Sequence, residues 1–179
     1  MKIKGMVLLT VIFCGILIVC GCANYKITHE LEQPIKEKTF CYVGEIKDEL
    51  PADFDEEDKP TFEQIYKFRR YLRNALEEKL IFSAIELGNP EAEYEVTGGI
   101  RDFKKGRGFH RSLPFGVGMQ KVTATLRLQD RKTGEILFAG NFREVVSSYT
   151  EKIDLMFERL AKNFSRVLEK QIKKSEKKK

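Results

Sequence analysis

Cysteine and histidine are scarce in this 179-residue chain, and their spacing limits the chemistry open to it. Cys14, Cys20 and Cys22 crowd the N-terminus, Cys41 stands alone, and His29 and His110 have no Ser, Cys or acid at a catalytic or ligating spacing. No Gly-x-Ser-x-Gly turn, His-Glu-x-x-His pair or Cys-x-x-Cys pair occurs, so a hydrolase, a zinc enzyme or a dithiol redox centre lacks its minimum parts. The acidic run from Asp53 to Asp58 offers hard oxygen donors. A calcium loop counted from Asp53 would need Gly at its sixth position, where Asp58 stands, so a solvated loop with no metal is expected. The stretch from Lys104 to Gly118 is rich in glycine and basic residues. It has no Gly-Lys-Ser/Thr ending and no strand-to-helix context, which argues against a phosphate cradle. It does interleave Lys104, Lys105, Arg107, His110 and Arg111 with Phe109 and Phe115, the mixture found at surfaces that contact a protein or a lipid. The competing reading is a long hairpin connection that folds its aromatics onto its own sheet. These seven residues form the candidate interaction loop; no catalytic residue, cofactor or enzymatic activity is expected.

The cysteines at the N-terminus belong to a different chemistry. Lys2 and Lys4 precede 21 uncharged residues, Gly5 to Tyr25, with an apolar run from Val7 to Cys20. That is a basic n-region followed by a secretory h-region, although the run is also long enough for a retained membrane anchor. Residues 19 to 22 favour removal: Val19-Cys20-Gly21-Cys22 resembles the lipobox of bacterial lipoproteins, with an aliphatic residue three before the Cys and a small one directly before it. The resemblance implies a diacylglyceryl thioether on Cys22, cleavage before it, and acylation of the new amine by a chain such as palmitate. Two or more acyl chains hold a protein on a membrane stably, at about 0.8 kcal/mol per buried CH₂. Ala23 stands where Asp would signal inner-membrane retention, so the periplasmic face of the outer membrane is expected in a host with two membranes. Cys41 is then the one thiol left. It cannot form an internal disulfide and reads as a small buried hydrophobe in the strand-like Thr39-Phe-Cys-Tyr-Val43.

Charge excludes another class. Lys2, Lys4 and the five lysines between Lys173 and Lys179 account for seven of the 32 basic residues, and Glu176 for one of the 27 acidic ones. The stretch from Cys22 to Ile172 is close to neutral, so no nucleic-acid partner is expected.

The rest of the pattern supplies the scaffold. Residues 1–21 read as a signal peptide, 22–37 as a lipidated tether without periodicity, 38–172 as one folded domain, and 173–179 as a basic disordered tail. A strand is predicted over 38–46. The capping-box spacing of Thr61 and Gln64 opens a helix with Ile65, Phe68, Leu72, Ala75, Leu76 and Leu80 on one stripe, ended by Gly88-Asn-Pro90. A strand through Tyr94, Val96 and Ile100 follows, with Gly98-Gly99 marking a bulge or a close backbone contact. Val122, Ala124, Leu126 and Leu128 alternate with Lys121, Thr123, Thr125, Arg127 and Gln129, and Asp130-Arg-Lys-Thr-Gly-Glu135 turns the chain, with Gly134 left-handed, into a strand over 136–146. A final helix, Thr150 to about Ile172, aligns Ile153, Met156, Phe157, Leu160, Phe164, Val167, Leu168 and Ile172. The order β-α-β-β-β-α predicts an α+β fold: a two-layer α/β sandwich with a mixed, mainly antiparallel sheet of about four strands and both helices on one face.

Tyr94-Glu-Val96, Phe103-Lys-Lys-Gly106, Arg111, Gly116-Val-Gly118, Val122 to Leu128 and Asp130 to Leu137 together resemble an uncharacterised family of bacterial lipoproteins, a domain of unknown function. The likeness covers about a third of the chain and brings no catalytic residues. A looser, fold-level likeness links the layout to envelope accessory lipoproteins, among them subunits of lipid-transporting ABC systems and partners of curli secretion or peptidoglycan synthesis. The expected function is that of a non-enzymatic, lipid-anchored cell-envelope protein. Its membrane contact is through acyl chains on Cys22, and its folded domain meets an envelope protein or another copy of itself. The alternative is an auxiliary lipoprotein of an envelope transport system, holding a lipid or glycan beside the basic loop. Intact mass of the membrane-extracted protein checks the anchor: wild type is expected to lack residues 1–21 and carry acyl mass, while Cys22→Ala accumulates as the full-length precursor.

Overall fold

The computed structural model describes residues 24–35, 39–56, 59–82, 84–87, 91–105, 119–146 and 152–177. Six strands and two helices follow in the order β1 (Tyr25–His29), β2 (Phe40–Asp48), α1 (Phe62–Glu78), β3 (Ala84–Glu86), β4 (Tyr94–Lys104), β5 (Gln120–Asp130), β6 (Ile136–Val146) and α2 (Ile153–Glu176). They build one sheet in the order β1-β6-β5-β4-β2-β3. The pairs β4–β5, β5–β6 and β6–β1 are antiparallel, whereas β2 is parallel to both β3 and β4 because α1 carries the chain across the sheet. Both helices pack on the same face, so the molecule is the expected α+β two-layer sandwich.

The apolar stripe of α2 explains the layering. Met156, Phe157, Leu160, Phe164, Val167 and Leu168 are all buried, with Ile153 and Ile172 packed at the rim. Phe157 and Phe164 lie two turns apart on one face. Phe157 packs between Phe68 of α1, centroids 5.0 Å apart, and Phe103 of β4, at 6.1 Å. Phe164 sits 6.0 Å from Phe138 and meets Phe142 edge-on at 5.4 Å, both on β6. Edge-to-face and tilted pairs at these separations add to the burial of the rings themselves. On the sheet, the register places Val96, Leu128 and Phe138 in one cross-strand row and Ile100, Ala124 and Phe142 in the next, all buried. Gly98 lies between those rows, and a Cβ there would come within 2.3 Å of the Thr125 carbonyl oxygen. The close backbone contact anticipated for Gly98-Gly99 is therefore real, while the register shifts fall beside it, at Val43–Ile46 and Ile100–Asp102.

The local signals of the strongest elements hold. Thr61 Oγ1 accepts from the Gln64 N–H at 3.2 Å, and Gln64 Oε1 accepts from the Thr61 N–H at 2.8 Å, which closes the capping box. In the β5–β6 turn, Asp130 Oδ1 accepts from the N–H groups of Lys132 and Thr133, and Gly134 takes φ +73°. Two ion pairs, Lys67–Asp154 at 3.1 Å and Lys79–Glu169 at 3.5 Å, link the helices at their exposed rims.

Four expectations need correction. The sheet has six strands rather than about four: β3 is three residues long, too short to show a period, and β1 lies inside the stretch expected to be a tether. β1 pairs with β6 from Tyr25–Phe142 to His29–Ala139, and Leu31 beyond it is buried. The first helix stops at Glu78, ten residues before Gly88, with Lys79 as its C-cap; Leu80 takes φ 51° and is 87% exposed instead of completing the stripe. The tail expected to be disordered is partly helical, since α2 runs to Glu176. Lys173 and Lys174 sit in its last turn, where positive charge complements the helix dipole, and Lys174 Nζ bonds Glu30 Oε2 at 2.8 Å.

Because Phe164 joins helix to sheet through two rings, Phe164→Ala is expected to cost about 3–5 kcal/mol. Denaturant unfolding of the folded domain measures it, and a loss under about 1 kcal/mol would mean that α2 does not anchor the core.

Candidate functional site

Helices cover one side of the sheet, so the side chains that alternate to the other side form an open polar face. The cross-strand register sets Glu95 beside Gln129, Thr97 beside Arg127, and Gly99, Thr125 and Asn141 in a row. Gln129 Nε2 donates to Glu95 Oε2 at 2.9 Å, Thr125 Oγ1 donates to Asn141 Oδ1 at 2.7 Å, and Arg101 pairs with Glu49 at 3.0 Å. Gly44 and Gly99 leave the room in which the Glu95 and Glu49 side chains lie across the strands; a Cβ at either would collide with the carboxylate arm. A groove of about 340 Å³ crosses this face between Glu45, Lys47, Glu49, Glu95, Arg127 and Gln129. A second hollow, of about 480 Å³, lies toward β1 between Lys26, Thr123, Asn141 and Arg143. Arg127 and Arg143 make no ion pair among the described residues, so the face offers hydroxyls, amides and unspent guanidinium groups. That chemistry suits recognition by hydrogen bonding. Among the described residues no cluster of three His, Cys, Asp or Glu groups can hold a metal ion.

The candidate loop is rooted at one end of this face. Lys104 opposes Lys121 across β4 and β5, Lys121 pairs with Asp102, and Lys105 Nζ lies 6.0 Å from the Phe103 ring centroid. Arg107, Phe109, His110, Arg111 and Phe115 lie outside the described residues, as does Cys22. The structure thus puts the root of the loop next to the polar strand row of Thr123, Thr125 and Arg127, in which Thr125 is buried.

A third feature gave no sequence signal. Beside the outer edge of β2 is a cavity of about 490 Å³ lined by Ile46, Asp48, Phe62, Ile65, Tyr66 and Arg69. Phe62 and Tyr66 are 85% and 45% exposed. Arg69 Nη2 donates to the Val43 carbonyl at 3.0 Å, while its buried Nε has no acceptor among the described residues. In the sequence Phe62 and Tyr66 are simply two aromatics off the apolar stripe of a helix; only the sheet edge brought beside them makes them a surface.

No known family model matches the chain, and no curated protein matches it by sequence. Its fold is similar to that of the PelC dodecamer of Paraburkholderia phytofirmans, with a TM-score of 0.58 and 14% identity over 79% of this chain and 96% of PelC. A looser likeness, at a TM-score of 0.49 and 12% identity, covers 80% of this chain and 88% of a Xanthomonas campestris protein of the DUF330 family. A lipoprotein of Neisseria meningitidis follows at 0.46 and 11% identity, over 73% of this chain and 96% of its own. These likenesses are of fold.

Cys41 is buried, as expected of a small hydrophobe, and stands apart from these surfaces. Burial first, and the nearby Glu95 carboxylate second, push its thiol up to about 12. The folded protein is expected to resist a maleimide at pH 8 and to react fully once unfolded, as mass spectrometry would show. Since the raised value favours the protonated thiol, the contribution of this group to stability is complete below pH 9 and is lost as pH rises from 9 toward 12.

Proposed function

We propose that the chain is a lipid-anchored protein of the bacterial cell envelope, non-enzymatic, whose folded domain works by contacting another envelope protein or further copies of itself. The observation that carries this reading is Val19-Cys-Gly-Cys22 behind a basic and apolar leader. Acyl chains on Cys22 would be the anchor; among the described residues no helix is long and apolar enough to cross a membrane. Ala23 supports the periplasmic face of the outer membrane as the location in a two-membrane host. β1 begins at Tyr25, three residues after Cys22, so the body would be held close to the lipid surface rather than on a long tether.

The fold supports the interaction reading by what it leaves exposed. One face of the sheet is polar and uncovered among the described residues, and Lys104 and Lys105, at the root of the basic aromatic loop, lie at its end. The similar fold of PelC occurs in a dodecamer, which supports self-association as one form of the contact.

A double charge reversal tests the loop. Arg107→Glu with Arg111→Glu is expected to leave unfolding within about 0.5 kcal/mol of wild type, since exposed charges contribute little to folding. The same variant is expected to lose most of the envelope partners crosslinked to the native lipoprotein, because reversed rim charges slow association. Unchanged capture would move the contact to the Thr123, Thr125 and Arg127 row, and marked destabilisation would make the arginines structural.

A further inference from the structure

Among the described residues, both ends of the sheet are without a neighbouring strand over most of their length. β3 pairs with β2 only from Phe40 to Tyr42, so from Val43 to Asp48 the outer side of β2 meets no strand among the described residues. Such an edge is a template for another strand, although Arg69 already holds the Val43 carbonyl and the register shifts between Val43 and Ile46. The cavity of about 490 Å³ lies alongside, and α1 overhangs it with Phe62, Ile65 and Tyr66, a floor on which the side chains of an added strand can rest. Arg69, bound to the Val43 carbonyl, has an Nε–H still without an acceptor among the described residues. At the opposite end, β1 is paired among the described residues on one side only, to β6.

We propose that copies of this chain join head to tail, the outer edge of β1 in one copy adding to the free edge of β2 in the next. The inference rests on the reading that the folded body makes protein contacts, and names the surface for one of them. Strand direction fits. β2 is parallel to β4, and three antiparallel steps from β4 lead to β1, so a second sheet laid alongside with its helices on the same side brings β1 antiparallel to β2. Length fits as well, five residues of β1 against six of β2. Tyr25 and Ile27 face the helix layer and are only half-buried at home, where Tyr25 stacks on Phe142 at 6.0 Å. In the joined sheet their uncovered parts turn toward Phe62 and Ile65. Lys26 of β1 and Glu45 of the β2 edge line hollows of the open face and carry opposite charges, with Lys47 beside Glu45. Because the two surfaces are different, the contact is heterologous. It repeats until it closes into a ring, or it runs on as a filament.

Crosslinking of full-length protein in intact membranes tests this. Lys26→Cys and Lys47→Cys both place thiols at exposed positions, and Cys41 is too buried to compete. With a short thiol-to-thiol crosslinker, co-expression of the two single variants is expected to give a dimer that neither gives alone. The double variant is expected to give a ladder of higher multiples. Adding Phe62→Glu, or separately Glu45→Lys, should reduce the ladder at least tenfold with an unchanged unfolding profile. No dimer from the mixture, dimers from each variant alone, adducts only with other proteins, or a ladder indifferent to both added substitutions would overturn the proposal. A chain that is lipidated and still captures other envelope proteins but never crosslinks to itself would refute this contact and leave the envelope reading standing.

Discussion

The docking of α2 against the sheet is the constraint on which the rest of the structure depends. Phe157 touches both α1 and β4, and Phe164 touches two positions of β6, so one helix ties the other helix to the sheet from its centre toward the β1 end. Without it the helix-facing side of β4, β5 and β6 would expose Val96, Ile100, Leu126, Phe138 and Phe142 to water. At about 25 cal/mol per Å² of apolar surface, covering that side is the main favourable term for a domain of this size. Buried aromatics also fix geometry, because close packing leaves few alternative seats for a ring.

Covering one side has a price on the other. With both helices committed to the same face, nothing in the described chain covers the opposite side, which is therefore built from Thr97, Arg127, Gln129, Asn141 and paired carboxylates. Such a face is stable in water and has many hydrogen-bonding groups, but little apolar area. It suits contacts whose specificity comes from charge and hydrogen bonding. Among the described residues the sheet also stays open at both edges. Antiparallel pairing ends at β1, and the parallel crossover through α1 supplies a β3 too short to protect β2.

The proposed membrane attachment would give these open surfaces a setting. A lipid at Cys22 would hold β1 near the bilayer and confine copies to two dimensions, raising their effective concentration for any weak contact between edges or faces. The acyl chains would supply residence and the folded domain recognition, which needs neither a cofactor nor a catalytic residue.

Periodicity in the sequence was enough to identify the elements that bury a full stripe. α2, β5, the β5–β6 turn and the capping box of α1 are all legible, because helical and alternating patterns are local consequences of facing a core on one side. The Cys22 motif is likewise local, a resemblance carried by four adjacent residues. What depends on distant partners was not legible. β1 is a strand because β6 offers it an edge, β3 because β2 does, and α1 stops at Glu78 although apolar residues continue beyond it. The cavity beside Phe62, Tyr66 and Arg69 exists only where β2 outruns β3, a juxtaposition of segments some twenty residues apart that no spacing encodes. Sequence alone therefore determined the layers and the anchor motif, since each follows from contacts within a few residues. Tertiary structure decided which edges remain open, since that depends on where strands end relative to one another.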